Sequence, residues 1–444
     1  MRNIVCDVLV VGCGSGGIGA AIGAAERGAK VVVIDKNHVP GGVVSMCWVH
    51  NWEPTCGNAP VTRRLWERMR SYPLGAADMD FTTSSRGADG KKNPTMPFEL
   101  WAYQHAVMEE FDRFEHLDFM FGTQLLACET DGRKLKSVTC GNGVFLSRIQ
   151  AKCYVDASGD IALSRMCGCA HMLGENARGD YNEALEPDVP DRNRLNKVNW
   201  IYRVREGRKP SWKIDLRRIP DVSKVNYVFT ARMPGGDYTV NTLGTGYFCP
   251  ERPEDYHRVA KEQYDIALNS YYWLVGSGMY PDWELVGLAP QMGIRESYRL
   301  KARHVMSVND VLDGGNAYRK SFVAMTDHPL DVHGTNLHEL GSVPYGIPYE
   351  SLLAVEYDNL FVGGRGIGAT HAVTGSCRLS RTVMTYGNAA GKAAAICALN
   401  GVMPEDIAVG DISEFAPCPD FVYQRFKERQ DKLLASTSPA TGRP

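Results

Sequence analysis

The sequence predicts an α/β fold: a Rossmann-like dinucleotide-binding unit at the N-terminus, joined to a second cap or substrate region further along the chain. Three observations carry the prediction. Asp7-Val8-Leu9-Val10-Val11 is a β-branched apolar run, as in a strand buried on both faces of a parallel sheet. Gly12-x-Gly14-x-x-Gly17 follows it directly. A second apolar strand, Lys30 to Ile34, ends in Asp35, 23 residues after Gly12.

Each part of that unit has a physical role. The three glycines permit a sharp turn, let the backbone approach a pyrophosphate, and let the next helix pack closely on the strand. That helix is expected from about Gly16 to Arg27, with Ala21 facing the sheet and Gly28 ending it in the glycine C-cap position. Its N-terminus, with Ser15 and Gly16, would receive the phosphates. Asp35, followed by Lys36, would accept hydrogen bonds from ribose hydroxyls, which favours an unphosphorylated adenosine ribose. The motif by itself fits FAD and NAD alike, and a Rossmann-like fold without a ligand is the alternative. Gly41-Gly42 follows after a short loop, where a glycine pair would let the chain pass close to a bound cofactor or would simply make a turn.

Val8 to Ala25 also form an 18-residue stretch with one polar residue, Ser15, long enough to meet the simplest rule for a membrane helix. Six glycines fall inside it, at 12, 14, 16, 17, 19 and 23, and would break a helix near its middle. Strand, turn and helix explain the run better.

A chain of 444 residues exceeds one compact core and suggests two or three domains. Its net charge of -2 offers no long-range pull toward nucleic acid or an anionic membrane, so a small-molecule partner is expected, with a homo-oligomer compatible. Thirteen cysteines, scattered without C-x-x-C pairs, suit a compartment where thiols stay reduced. With no signal-peptide pattern before the first apolar run, the expected location is cytoplasmic.

Further along, residues 97–115 read as an amphipathic helix after Pro97, and residues 117–155 as strands broken at Asp131-Gly132 and Gly141-Asn142-Gly143. Residues 176–250 are rich in Arg, Asp, Asn and Pro without a sustained period, which suits a cap of loops and irregular strands. Residues 254–275 are helical in pattern, 360–364 form another buried strand, and a small-residue helix runs from roughly Leu379 to Asn400, where Gly387 and Gly391 allow close packing. The tail after Lys432 has the composition of a disordered segment. No second glycine fingerprint and no internal repeat is visible.

These motifs together resemble the FAD-dependent oxidoreductase family, related to the glutathione-reductase-like and fumarate-reductase-like flavoproteins. The resemblance covers most of the chain. It rests on the N-terminal fingerprint, Gly41-Gly42, Asp156-Ala157-Ser158-Gly159-Asp160, Gly293-Ile294-Arg295-Glu296-Ser297, Asp331-Val332-His333, Tyr345-Gly346-Ile347-Pro348-Tyr349, and Asn359 to Arg365 with the helix that follows. It implies FAD as cofactor and a discontinuous FAD-binding domain of residues 1–50, 116–172 and 345–405. Residues 51–115 and 173–344 would form the cap, and 406–444 a C-terminal extension. By the same resemblance Gly159 and Asp160 close over the adenosine side, while Gly364 and Arg365 lie along the ribityl and flavin end. Many wider relatives carry an acid where Arg365 stands.

A flavin takes up a hydride and gathers negative charge at its pyrimidine edge, which calls for positive potential. The N-terminus of the last helix, near Gly375-Ser376, is expected to supply it. Arg295 is the first candidate to face the flavin or an anionic substrate, because a guanidinium holds carboxylates bidentately; a salt bridge with Glu296 is the alternative. His371 and His333 are the candidate proton carriers, against structural roles for both. Arg378 and Arg381 would share one helix face toward the pocket, or be solvated. Trp48, His50 and Trp52 would wall the ring, or belong to the core. Cys47 and Cys56 are spaced wrongly for a redox pair, and Cys167-Gly168-Cys169 lacks the partners of a zinc site. No metal is expected. The leading expectation is hydride transfer between a small organic molecule and FAD; flavin-supported non-redox chemistry and electron relay to a partner chain are the alternatives.

Overall fold

The computed structural model describes residues 1–87, 89, 91–184, 186–207, 228–243, 247, 249–314, 320–332, 344–424 and 428. His333 and the tail after Lys432 lie outside them.

The apolar run at the N-terminus extends into a strand, β1 (Arg2–Val11), whose last four residues are buried. The glycine turn leads into helix α1 (Ser15–Glu26), and Gly28, at φ +80°, reverses the chain into β2 (Val31–Asp35). All five β2 residues are buried, as an apolar strand central to a covered sheet requires. The expected helix after Pro97 is Leu100–Phe111. The turn signals then separate β3 (Leu117–Phe121), β4 (Gln124–Asp131), β5 (Lys134–Gly141) and β6 (Leu146–Asp156).

Residues 176–250 contribute β7 (Asn199–Glu206), β8 (Val228–Arg232) and β9 (Tyr238–Leu243), followed by helix α2 (Pro253–Gly276) and β10 (Trp283–Leu288). The chain returns through β11 (Leu360–Val362), helix α3 (His371–Cys377) and helix α4 (Ser380–Asn400).

One seven-stranded sheet has the order β3-β2-β1-β6-β5-β4, with β11 on the other edge of β6. β1 pairs in parallel with β2 and β6, and β11 with β6, so the carboxyl ends of β1, β2, β6 and β11 gather at one edge. In open α/β sheets that edge is where ligands bind. The strands come from three separate stretches of chain, ending at Val11, Asp35, Asp156 and Val362. A second, antiparallel sheet has the order β8-β9-β7-β10 and packs on α2 through Tyr202, Val240, Tyr271 and Trp283.

Helices α1 and α4 are almost entirely buried and lie against each other. Small residues make that approach possible. A Cβ on Gly387 would collide with the backbone of Gly16, and one on Gly391 with the backbone of Ala20.

Candidate functional site

The strand ends open onto a cavity of about 920 Å³. At its sheet side Gly12 takes φ +99°, and a Cβ there would stand 2.6 Å from the Ala157 carbonyl oxygen. Gly14 occupies the N-cap of α1 without a side-chain cap, which leaves the first-turn N–H groups of a twelve-residue helix directed at whatever fills the adjoining space. Gly12, Gly14, Ser15 and Gly16 line the cavity. Gly17 lies behind them, where a Cβ would collide with the Gly12 carbonyl.

Asp35 ends β2 and borders the cavity beside the exposed Lys36. Its carboxylate accepts hydrogen bonds from Cys13 N at 2.5 Å and Asn37 N at 2.7 Å. Each oxygen keeps a second lone pair for a ligand hydroxyl. Gly41, at φ +115°, donates from its N to Cys13 O at 2.8 Å. It packs against Ser45 and Tyr103, so it supports the loop from behind while Gly42, at φ +52°, forms the lining. A Cβ on Gly42 would come 2.9 Å from Gly14 Cα, so the glycine pair lets two backbones touch.

Asp156, at the end of β6, accepts from Ser158 N and Oγ and from Ser164 N and Oγ. Those four bonds fix the 157–160 turn and bring Gly159, at φ +73°, and Asp160 to the cavity wall. Arg365, after Gly364, donates from Nη2 to Asp160 Oδ1 at 2.7 Å, and Ser297 Oγ donates to the same oxygen at 2.6 Å. Gly159, Asp160, Gly364 and Arg365 therefore form one cluster on the cavity wall. The Arg365 Nε is buried with no hydrogen-bond partner among the described residues.

In the 293–297 string Gly293 exchanges both backbone hydrogen bonds with Asn199. The neighbours Arg295 and Glu296 diverge. Arg295 lines the cavity and donates from Nη1 to Lys197 O at 2.7 Å. Burial, with Arg378 nearby, pushes its guanidinium down to about 9. Glu296 is buried with Arg299 and His371 instead. No salt bridge joins Arg295 to Glu296 among the described residues.

His371 does not line the cavity. Its Nδ1 stands 2.8 Å from Glu296 Oε2, and its backbone N donates to Asn176 Oδ1 at 3.1 Å. Burial alone would lower the imidazole pKa, but the Glu296 carboxylate outweighs it and raises the value.

Three further expectations change. Ser376 lies inside α3, donates to His328 O at 2.6 Å and accepts from Tyr345 OH at 2.8 Å, away from the cavity lining. The last helix begins at Ser380 because Arg378 and Leu379 interrupt it, and Leu379, Ser380 and Val383 reach the cavity. That interruption also separates Arg378 from Arg381. Arg378 lines the cavity and pairs with Asp331 at 2.9 Å, whereas Arg381 is buried on the carbonyls of Glu53, Thr55 and Thr82.

Trp48 lines the cavity in a left-handed conformation at φ +58°, while Trp52 is core, packed on Trp66, Phe98 and Tyr103. His50 borders the cavity with Nδ1 bonded to Phe98 O at 2.8 Å, and burial pushes its pKa down to about 4, so the ring is neutral. Cys47 Sγ donates to Met292 O, and Cys56 packs with Cys418, so the two thiols serve separate contacts. The antiparallel sheet supplies lining residues that sequence reasoning did not single out: Asn199 and Ile201 from β7, Phe229 from β8, Thr239 and Asn241 from β9. Their two-residue spacing is that of one sheet face.

An uncapped helix N-terminus, a loop in which Gly12, Gly14 and Gly16 carry no side chain, and an acid at the end of β2 suit a dinucleotide pyrophosphate and ribose. The fold is that of a dinucleotide-binding protein. The family model described as "FAD dependent oxidoreductase" matches residues 7–416, and the chain belongs to that family: it is an enzyme with FAD as its cofactor. A 53-residue stretch is 42% identical to 4-oxocyclohex-2-ene-1-carboxylate 5-dehydrogenase of Sinomonas cyclohexanicum, covering 12% of this chain and 9% of that protein. Among solved structures, the chain is similar to a geranylgeranyl bacteriochlorophyll reductase-like protein of Thermoplasma acidophilum, at 13% identity and TM-score 0.46, covering 98% of this chain and 84% of that one. It is also similar to p-nitrophenol 4-monooxygenase of Pseudomonas putida DLL-E4, at 10% identity and TM-score 0.47, covering 99% and 88%. No helix among the described residues is long and apolar enough to cross a membrane.

Proposed function

We propose that the enzyme transfers a hydride between a small organic substrate and FAD, with both seated in the one cavity. A single observation carries this reading. The glycine loop, one face of the antiparallel sheet, and Arg295 and Arg378 all line the same cavity. In this reading residues 1–50, 116–172 and 345–405 form the cofactor domain, and 51–115 and 173–344 the cap over the substrate.

FAD, when bound, supplies the two-electron acceptor. The chain's own groups do the rest. Gly12, Gly14, Ser15 and Gly16 would hold the pyrophosphate on the α1 N-terminus, with Gly17 and Gly41 keeping the loop in shape. Asp35 and Lys36 would take the adenosine ribose, and Gly42, Gly159, Asp160, Gly364 and Arg365 the stretch beyond it. Leu379 and Ser380 present the N-terminus of α4, whose dipole favours negative charge. The sheet face of Ile201 and Phe229 would exclude water from the substrate side. His371 is paired with Glu296 away from the cavity lining, so we assign it a structural role.

The experiment is anaerobic titration of the holoprotein with a panel of metabolites while the visible flavin absorbance is followed. Bleaching by one compound, with its oxidised form recovered in equal amount, is the expected result. Product formation with no change in flavin colour under the same conditions would replace hydride transfer with a non-redox reaction.

A further inference from the structure

We propose that the substrate is a small organic carboxylate and that the Arg295 guanidinium, with Arg378 beside it, receives the carboxylate group. The inference rests on the hydride-transfer reading above and adds the substrate's chemical class.

The cations of the cavity wall differ in what they touch. Lys92 pairs with Glu53, Arg365 with Asp160 and Arg378 with Asp331, Arg86 is half-buried and itself engaged, and Lys36 is exposed to solvent. Arg295 has a backbone carbonyl and no carboxylate within salt-bridge distance among the described residues. A guanidinium drawn partly out of water needs an anion or a full set of acceptors, and one carbonyl satisfies one of its five N–H groups. Arg378 stands close enough to repel it, and the two guanidinium groups share Asp331 as their nearby acid. Arg378 also keeps a buried Nε with no hydrogen-bond partner among the described residues. The other acid on this side, Asp327, accepts from Cys56 N, Ser85 N and Ser85 Oγ, and is engaged. Arg295 thus keeps guanidinium N–H groups for a ligand on the cavity wall, and a planar fork matches a carboxylate with two parallel hydrogen bonds.

The position separates this anion from the cofactor's phosphates. Those belong at the α1 N-terminus, beside Gly14. Arg295 comes instead from the segment that bridges to Asn199 at the start of β7, on the cap side.

The test uses the FAD-loaded full chain and two probes of one shape, benzoate and benzamide, with the perturbation of the flavin visible spectrum as readout. Benzoate is expected to bind at least about tenfold more tightly than benzamide, and Arg295→Gln to remove about ten- to a hundredfold of benzoate affinity with FAD content unchanged. Arg295→Lys, which keeps the charge and loses the fork, should fall between. Arg378→Gln is the second variant should the first not fold, and should also weaken benzoate. Equal binding of the two probes, or no binding of benzoate, overturns the proposal. So does an Arg295→Gln protein that binds benzoate normally but has a shifted flavin midpoint potential, since the guanidinium would then serve the flavin. The readout needs no turnover, so a protein that binds benzoate through Arg295 yet forms product with no change in flavin colour refutes hydride transfer and leaves the anion site standing.

Discussion

Gly14 and Gly16 stand two residues apart in one motif, yet an added methyl meets different surroundings at each. At Gly14 the nearest heavy atom to a Cβ is Gly42 Cα at 3.9 Å, an ordinary contact, so the glycine is there for whatever enters the cavity. At Gly16 the same Cβ would collide with the Gly363 carbonyl and touch Val383. Gly14→Ala is therefore expected to leave the thermal stability of the apoprotein within about 0.5 kcal/mol of wild type while weakening FAD at least about tenfold. Gly16→Ala should cost about 1–3 kcal/mol or more in the apoprotein itself, because backbone cannot move aside cheaply. Thermal melts of the apoproteins and FAD titrations distinguish the two. A Gly14→Ala protein with wild-type FAD affinity would show that the ligand does not approach that backbone. Both glycines are plain in the sequence, but the distinction is not, because Gly363 is 347 positions away.

At the scale of the element, α3 begins in a buried ionic network. Glu296 faces His371 and Arg299, Thr370 Oγ1 donates to Glu183 Oε1 at 2.8 Å, and Glu186 lies near His371 as well. The His371 pKa is raised above its ordinary value, so its contribution to stability is complete below about pH 6.5 and is lost as pH rises through the folded-state value. The Glu296 pKa is lowered despite burial by His371 and Arg299, so its contribution is present above its ordinary value and is lost as pH falls through the depressed one. The pair stabilises between those limits. His371→Gln should destabilise by about 1–3 kcal/mol near pH 6, less than a broken buried pair because Arg299 still answers Glu296, and the deficit should shrink toward pH 9. Unfolding free energies of both proteins across that range check it, and a deficit independent of pH would mean that His371 is neutral in the fold.

For the whole molecule, the cavity matters because so many separate parts of the chain wall it. Residues from β1 and β2, the 42–54 loop, the 157–162 turn, the β7–β9 face, the 291–295 string and the α4 N-terminus all border it. A ligand that touches them together stabilises their arrangement by mass action, about 2.7 kcal/mol when free FAD is a hundredfold above its dissociation constant. Removing FAD should lower the melting temperature, and adding it back should restore the difference progressively with concentration. Identical melting of apoprotein and holoprotein in excess FAD would mean that FAD does not bind the folded chain in preference to the unfolded one.

What the sequence determined alone is the nucleotide unit and several of the later elements, while the helix Pro60–Ser71 and the regular pairing of β7 with β9 were not legible in it. Strand, glycine turn, helix, Gly28 and the strand ending in Asp35 are local features, written in neighbouring residues through hydrogen-bonding period and backbone freedom. The strands of 117–155 and the α2 and α4 helices were legible for the same reason. Only the tertiary structure decided which side chains share the cavity. It turns Arg295 inward and Glu296 away, draws His371 into a buried network, keeps Arg378 and withdraws Arg381, and brings Thr239 and Asn241 to the wall through a register set by strand pairing. One residue of register exchanges the two faces of a strand, and that register depends on partners distant in sequence. Membership of the cavity is therefore a property of long-range packing, which no local pattern of residues encodes.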